Sequence, residues 1–172
     1  MELLRLRLIF LSLFLITVPV WGLVDPILDL NFFKNHSNCR TLRNYLYLNK
    51  DKMNLFKEKL GKNPDSAIFR RYELKCKNEE GSVYIMNGLV RSHYMTLLIH
   101  AVNKEVKDVK LVSFAEPTEY KPKVNWLQAL NGRSFQKNIE IDGISGATLT
   151  TQTTKNLLNQ VKIMENNFHD KK

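Results

Sequence analysis

The chain has 172 residues, 44% of them hydrophobic and 25% charged, with a formal charge of +9. A chain of this size forms one domain that buries roughly 68–70% of its unfolded surface, so it needs neither a metal nor a disulfide to fold, and long disorder is excluded. Its basic residues are interspersed with acidic ones, which describes a solvated Lys-rich surface rather than a nucleic-acid footprint.

The first 24 residues stand apart. Arg5 and Arg7 precede an apolar run over 8–18, Pro19 interrupts it, and Val20-Trp21-Gly22 has the small or short residues of a cleavage site. This is the grammar of a secretory signal peptide over 1–22. The alternative is an N-terminal membrane anchor over 8–24, short of the roughly 20 residues a span prefers. In both cases the remaining domain, 23–165, lies outside the cytoplasm, followed by a flexible tail over 166–172. Residues 1–22 carry Arg5, Arg7 and Glu2, so cleavage lowers the charge from +9 to +8.

Leu42, Tyr45, Leu46 and Leu48 are available for a core. Asn49 reads as a helix N-cap with Asp51 in the first turn; Met53, Phe56 and Leu60 mark one helical face, and Gly61 supplies the C-cap. Residues 67–74 and 82–86 are short β-compatible runs around a turn at 78–81. Residues 95–102 and 109–114 form a hairpin across a polar connection at 103–107. In the second of these strands Val109, Leu111 and Ser113 alternate with Lys110, Val112 and Phe114. Pro117 and Pro122 bracket a loop, and a short helix over 124–130 closes near Gly132. A final helix of about 16 residues begins near Leu149. Its stripe of Leu157, Leu158, Val161 and Met164 runs back through Thr154, Thr153 and Thr150, so an apolar seam ends in hydroxyls. The expected fold class is α+β: a small antiparallel sheet packed with helices.

Cys39 and Cys76 are able to form one disulfide in an oxidising compartment, or to stay unlinked. They form no CxxC, and the four histidines show no metal spacing. No metal site and no nucleophile–base pair is expected.

Asp142-Gly143-Ile144-Ser145-Gly146-Ala147-Thr148 lies immediately before the last helix. Glycines allow a tight turn and close approach to a ligand, and a helix N-terminus offers free N–H groups to a phosphate. Ser145, Thr148, Thr150 and Thr151 add hydroxyls. Chemistry alone leaves two readings: an anion site, or an ordinary capped helix start.

The segment resembles the flavinylation sequence Asp-Gly-x-Ser-Gly-Ala-Thr of the FMN-binding domain family. That family includes flavin-carrying components of the sodium-translocating NADH:quinone oxidoreductase and of the Rnf electron-transport complex. Six specified residues coincide by chance about once in 10⁷ positions. The resemblance spans 44–165 and takes in Val90-Arg91, the stretch 114–120, Trp126-Leu127-Gln128 and Gly132. Glu116 is kept, but the Glu-Thr-Pro-Gly-Leu-Gly loop of the best-known members is not. That departure favours the short stand-alone exported branch.

The resemblance implies covalent FMN on Thr148 through a phosphoester. Asp142 corresponds to the acidic residue needed by the attaching enzyme. Ser145, Gly146 and Ala147 correspond to the phosphate-side backbone, Gly143 to a turn residue of the same cofactor-binding segment, and Thr150 and Thr151 to a cap that lines the site. Glu116 and Pro117, with Tyr120, would approach the ring or ribityl chain. The implied partners are a periplasmic flavin transferase and redox proteins, some of them membrane-bound, with no nucleic acid. The implied location is the periplasm or the outer face of the cytoplasmic membrane. The implied activity is electron transfer rather than independent catalysis. The alternatives are a non-redox envelope binding or assembly protein that keeps the fold without flavin, and a reductase with its own substrate.

Overall fold

A computed structural model describes residues 31–168. The leader or anchor expected over 1–22 and the last four residues lie outside the described residues. The chain divides into two compact units at Asn35. The first contributes a short helix, α1 (Asn31–Asn35). No helix among the described residues is long and apolar enough to cross a membrane.

The second unit is α+β. Its strands β1 (Arg40–Tyr47), β2 (Ile68–Lys75), β3 (Glu80–Leu89), β4 (Tyr94–Val102) and β5 (Glu105–Phe114) form one antiparallel meander in the order β1-β2-β3-β4-β5. Helices α2 (Lys50–Leu60), α3 (Val124–Gln128) and α4 (Thr148–Asn167) complete it. Met86, Leu97 and Ile99 from the sheet share one core with Phe56 of α2, Leu127 of α3, and Leu157, Leu158, Val161 and Met164 of α4. The predicted stripe of the last helix is therefore its buried face.

The ends of α2 obey local rules. Asn49 Oδ1 accepts the Lys52 N–H at 3.0 Å. Gly61 takes a left-handed φ of 72° and donates its N–H to the Lys57 carbonyl. Phe56 is fully buried and stacks on Phe69.

Three expectations are corrected. Tyr45 does not enter the core: β1 is an edge strand, paired with β2 alone, and its alternation leaves Tyr45 41% exposed. Strict alternation along β5 also fails. Thr96 pairs with Ser113 and Leu97 with Leu111, while His100 pairs with Asp108 and Ala101 with Val106. Val112 and Lys107 are thus extra residues, each reversing the parity of the strand beyond it. Leu111 and Phe114 consequently pack against the same core. Finally, α4 runs 20 residues to Asn167, and Phe168 is buried and stacked 5.7 Å from Phe56. The chain stays packed past the tail expected from 166 because that aromatic completes the core.

The polar connection of the predicted hairpin is tighter than expected. Val102 pairs with Glu105, and the turn is only Asn103-Lys104, both at positive φ. That is the geometry a two-residue hairpin turn requires. The two cysteines are joined, Cys39–Cys76, across the outer ends of β1 and β2.

Candidate functional site

The amino end of α4 is built differently from that of α2. Its N-cap is Ala147, which offers no side-chain hydrogen bond. The first helical bond in this turn runs from the Thr151 N–H to the Ala147 carbonyl. The N–H groups of Thr148, Leu149 and Thr150 before it are orphan donors among the described residues, with the positive end of the helix dipole behind them.

Four of the five threonines between 148 and 154 are committed to the fold. The Thr150 hydroxyl donates to the Tyr120 carbonyl at 2.8 Å. Thr151 Oγ1 accepts the Ile144 N–H at 3.1 Å and donates to the Ala147 carbonyl at 3.3 Å. Thr153 donates to the Leu89 carbonyl at 2.9 Å, and Thr154 to the Thr150 carbonyl at 2.9 Å. Thr148 is exposed, and its hydroxyl has no hydrogen-bond partner among the described residues. The seam of hydroxyls read from the sequence is therefore a set of struts around one free hydroxyl.

That hydroxyl borders a cleft of about 280 Å³ lined by Val90, Arg91, Glu116, Tyr120, Gly146, Ala147, Leu149 and Thr150. Gly146 sits at φ 77°, a left-handed conformation that glycine adopts without strain. Gly143 has no such requirement; a Cβ there meets nothing within 4 Å. Only one of the two motif glycines thus uses its conformational freedom. A wider groove of about 960 Å³ opens over Gly88, Leu89, Tyr94 and Gln152. It contains none of the Asp142–Thr148 motif residues, so the smaller cleft is where the chemistry collects.

Glu116 is not a solvated loop carboxylate. Its side chain is 3% exposed, and Oε1 accepts the N–H groups of His93, Ser92 and Arg91 at 2.7, 2.6 and 3.1 Å. These bonds, His93 first and Ser92 next, hold its carboxyl below the usual carboxylate range. Glu116 therefore fixes the β3–β4 turn as one wall of the cleft. The His93 ring, exposed, accompanies it with Nδ1 at 3.8 Å from Oε2.

The remaining expected residues fall into two groups. Glu116, Gly146, Ala147, Thr148 and Thr150 share the cleft. Asp142, Gly143 and Ser145 are exposed and do not line the cleft, Thr151 is a strut bonded to Ile144 and Ala147, and Pro117 precedes the 3-10 turn Thr118–Tyr120. The expectation that Thr150 and Thr151 cap α4 is corrected: Ala147 is the cap, and both hydroxyls bond elsewhere.

Sequence reasoning missed Gly88. A Cβ there would lie 2.5 Å from Thr153 Cγ2 and 3.2 Å from Leu157, so its absence lets α4 lie against β3. It also missed the Trp126 indole, whose Nε1–H donates to the Asp142 carbonyl at 2.9 Å. No local pattern encodes either contact.

A free hydroxyl beside orphan helix N–H groups is suited to an ester with a phosphate, whose oxygens those donors would meet. No cluster of metal-ligating side chains occurs among the described residues. The family model described as the FMN-binding domain matches residues 92–162, from the turn held by Glu116 into α4. No curated protein and no solved structure matches the chain.

Proposed function

We propose, on the match of residues 92–162 to the FMN-binding domain family, that this is a flavin-binding protein: an exported carrier with FMN esterified to Thr148, passing electrons between redox partners at the cell envelope. The observation that carries the reading is the free, exposed Thr148 hydroxyl among four committed neighbours. A hydroxyl with no structural duty is available to a modifying enzyme.

Attachment is a redox-neutral transfer performed on this chain by a flavin transferase with FAD as donor. The Thr148 oxygen attacks the phosphorus on the riboflavin side of the FAD diphosphate. The bond from that phosphorus to the bridging oxygen breaks, AMP leaves with the electron pair, and the hydroxyl proton passes to a base of the transferase. The product is the Thr148–FMN phosphoester.

Bound FMN accepts one or two electrons, and the protein holds and tunes it. The free N–H groups at the amino end of α4 would hold its phosphate. Arg91 and Tyr120 line the cleft together with Glu116. At about 280 Å³ the cleft is at the lower end of the sizes typical of ligand sites, and with Thr148 exposed at its border it would leave bound FMN within reach of a redox partner. The Cys39–Cys76 disulfide supports export, since such bonds persist in oxidising compartments.

The test is coexpression with a periplasmic flavin transferase. Exported wild-type protein should gain the FMN phosphoester mass and a fluorescent band that survives SDS, and Thr148→Ala should gain neither. A fluorescent Thr148→Ala band overturns the site. Wild type that never acquires flavin favours an envelope protein that keeps the fold without a redox role.

A further inference from the structure

The approach to Thr148 is a long irregular segment. Between the end of α3 at Gln128 and the start of α4 at Thr148 there is no helix or longer strand. Ile139 anchors this segment in the core. From there the chain crosses the motif, and two side chains from different helices grip its backbone. Trp126 of α3 donates its indole N–H to the Asp142 carbonyl at 2.9 Å. Thr151 of α4 accepts the Ile144 N–H at 3.1 Å. The Ala147 N–H then closes a turn on the Ile144 carbonyl at 2.9 Å.

We propose that Trp126 is a positioning residue for the covalent modification: its indole N–H fixes the Asp142 peptide, so that the exposed Asp142 carboxylate and the Thr148 hydroxyl are presented to the transferase at a set separation. The inference rests on the reading of Thr148 as acceptor. Its reason is geometric. Asp142 and Thr148 sit at the two ends of a seven-residue motif, and both are exposed. An enzyme that must engage both ends is served by a segment whose ends do not move independently. Thr148 is already fixed by α4. Asp142 lies before the Ile144 grip, and its peptide is tied down by a side chain of α3, which itself packs on β5. The Trp126 bond therefore refers the acidic end of the motif to the sheet. Because α3 and α4 share one core, it refers it to Thr148 as well. A phenylalanine keeps most of the ring's packing and lacks the donor, so it separates positioning from bulk.

The experiment measures flavinylation of purified apoprotein by the transferase with FAD, followed by intact mass, for wild type, Trp126→Phe and Gln128→Ala. Gln128, exposed on the same helix, serves as the neutral control. A neutral hydrogen bond contributes on the order of a factor of five. Trp126→Phe should lower kcat/KM by about fivefold, gain the same full FMN mass increment as wild type at long times, and keep a wild-type far-UV spectrum. Gln128→Ala should match wild type. A wild-type rate for Trp126→Phe overturns the proposal, as does a loss no larger than its unfolded fraction. If Trp126→Phe does not fold, the indole N–H of wild type decides: slow exchange with solvent supports the bond, and exchange as fast as free tryptophan overturns it. Wild type that takes up no flavin sinks the acceptor reading itself, an outcome distinct from a slow variant.

Discussion

Thr153 donates its hydroxyl to the Leu89 carbonyl at 2.9 Å, joining the first turns of α4 to the last residue of β3. The approach is this close because Gly88, one residue earlier, has no Cβ; one placed there would lie 2.5 Å from Thr153 Cγ2. This contact sets where the amino end of α4, and with it Thr148, stands against the turn that Glu116 holds. Gly88→Ala should therefore push α4 off β3, costing about 1–3 kcal/mol as overpacking does. Urea unfolding reads the stability and intact mass the flavin uptake. An alanine variant with wild-type stability would show that the helix and strand do not need this proximity.

Thr148→Ala should be nearly silent in stability, within about 0.5 kcal/mol, as a surface change with no lost partner. Thr151→Val, one turn away, removes the partner of the partly buried Ile144 N–H and should cost about 1 kcal/mol or more. Side-by-side urea curves check the contrast. Equal losses would mean that Thr148 also supports the fold.

Glu116→Gln keeps the shape and removes the charge that three backbone N–H groups address. Its melting temperature should fall at neutral pH. The folded-state carboxyl titrates below its usual range, so its stabilisation is present above the unfolded pKa and is lost as pH falls through the folded one. The difference between wild type and Glu116→Gln should accordingly shrink in acid. A constant difference from neutral pH down to strong acid would remove the charge from the explanation.

His100 is 3% exposed on β4, and burial, then the nearby His36, lower its pKa from 6.5 to about 4. The unfolded chain holds the proton more tightly, so stability rises with pH between about 4 and 6.5 and levels off above. At roughly 1.36 kcal/mol per unit, the loss on going from pH 7 to pH 4 is about 3 kcal/mol. Urea midpoints across that window test it, and His100→Gln should flatten the slope. An unchanged slope would assign the acid sensitivity to other groups.

Reduction of Cys39–Cys76, which are 37 residues apart, should lower stability by about 3–4 kcal/mol through the freed unfolded chain. Cys39→Ser/Cys76→Ser should do the same and no longer respond to reductant. A reductant effect persisting in that variant would have another origin.

What the sequence determined by itself was local. Asn49 and Gly61 bound α2 because capping is satisfied within four residues of chain. The stripe of Leu157, Leu158, Val161 and Met164 was visible because helical periodicity is set by the backbone. The Asp142–Thr148 motif was legible as a specific string, and the matched family over 92–162 agrees with that resemblance. Tertiary structure decided the rest. Two bulges reversed the parity of β5, an outcome set by pairing with β4 rather than by the residues of β5 alone. Glu116, from a loop 23 to 25 residues away, became the keeper of the 91–93 turn. Which threonine stays free was also beyond the sequence. The hydroxyls of the run are chemically alike, and they differ only in which carbonyl or N–H a distant strand or loop brings within reach. Thr150 meets Tyr120, Thr153 meets Leu89, and Thr148 meets the cleft.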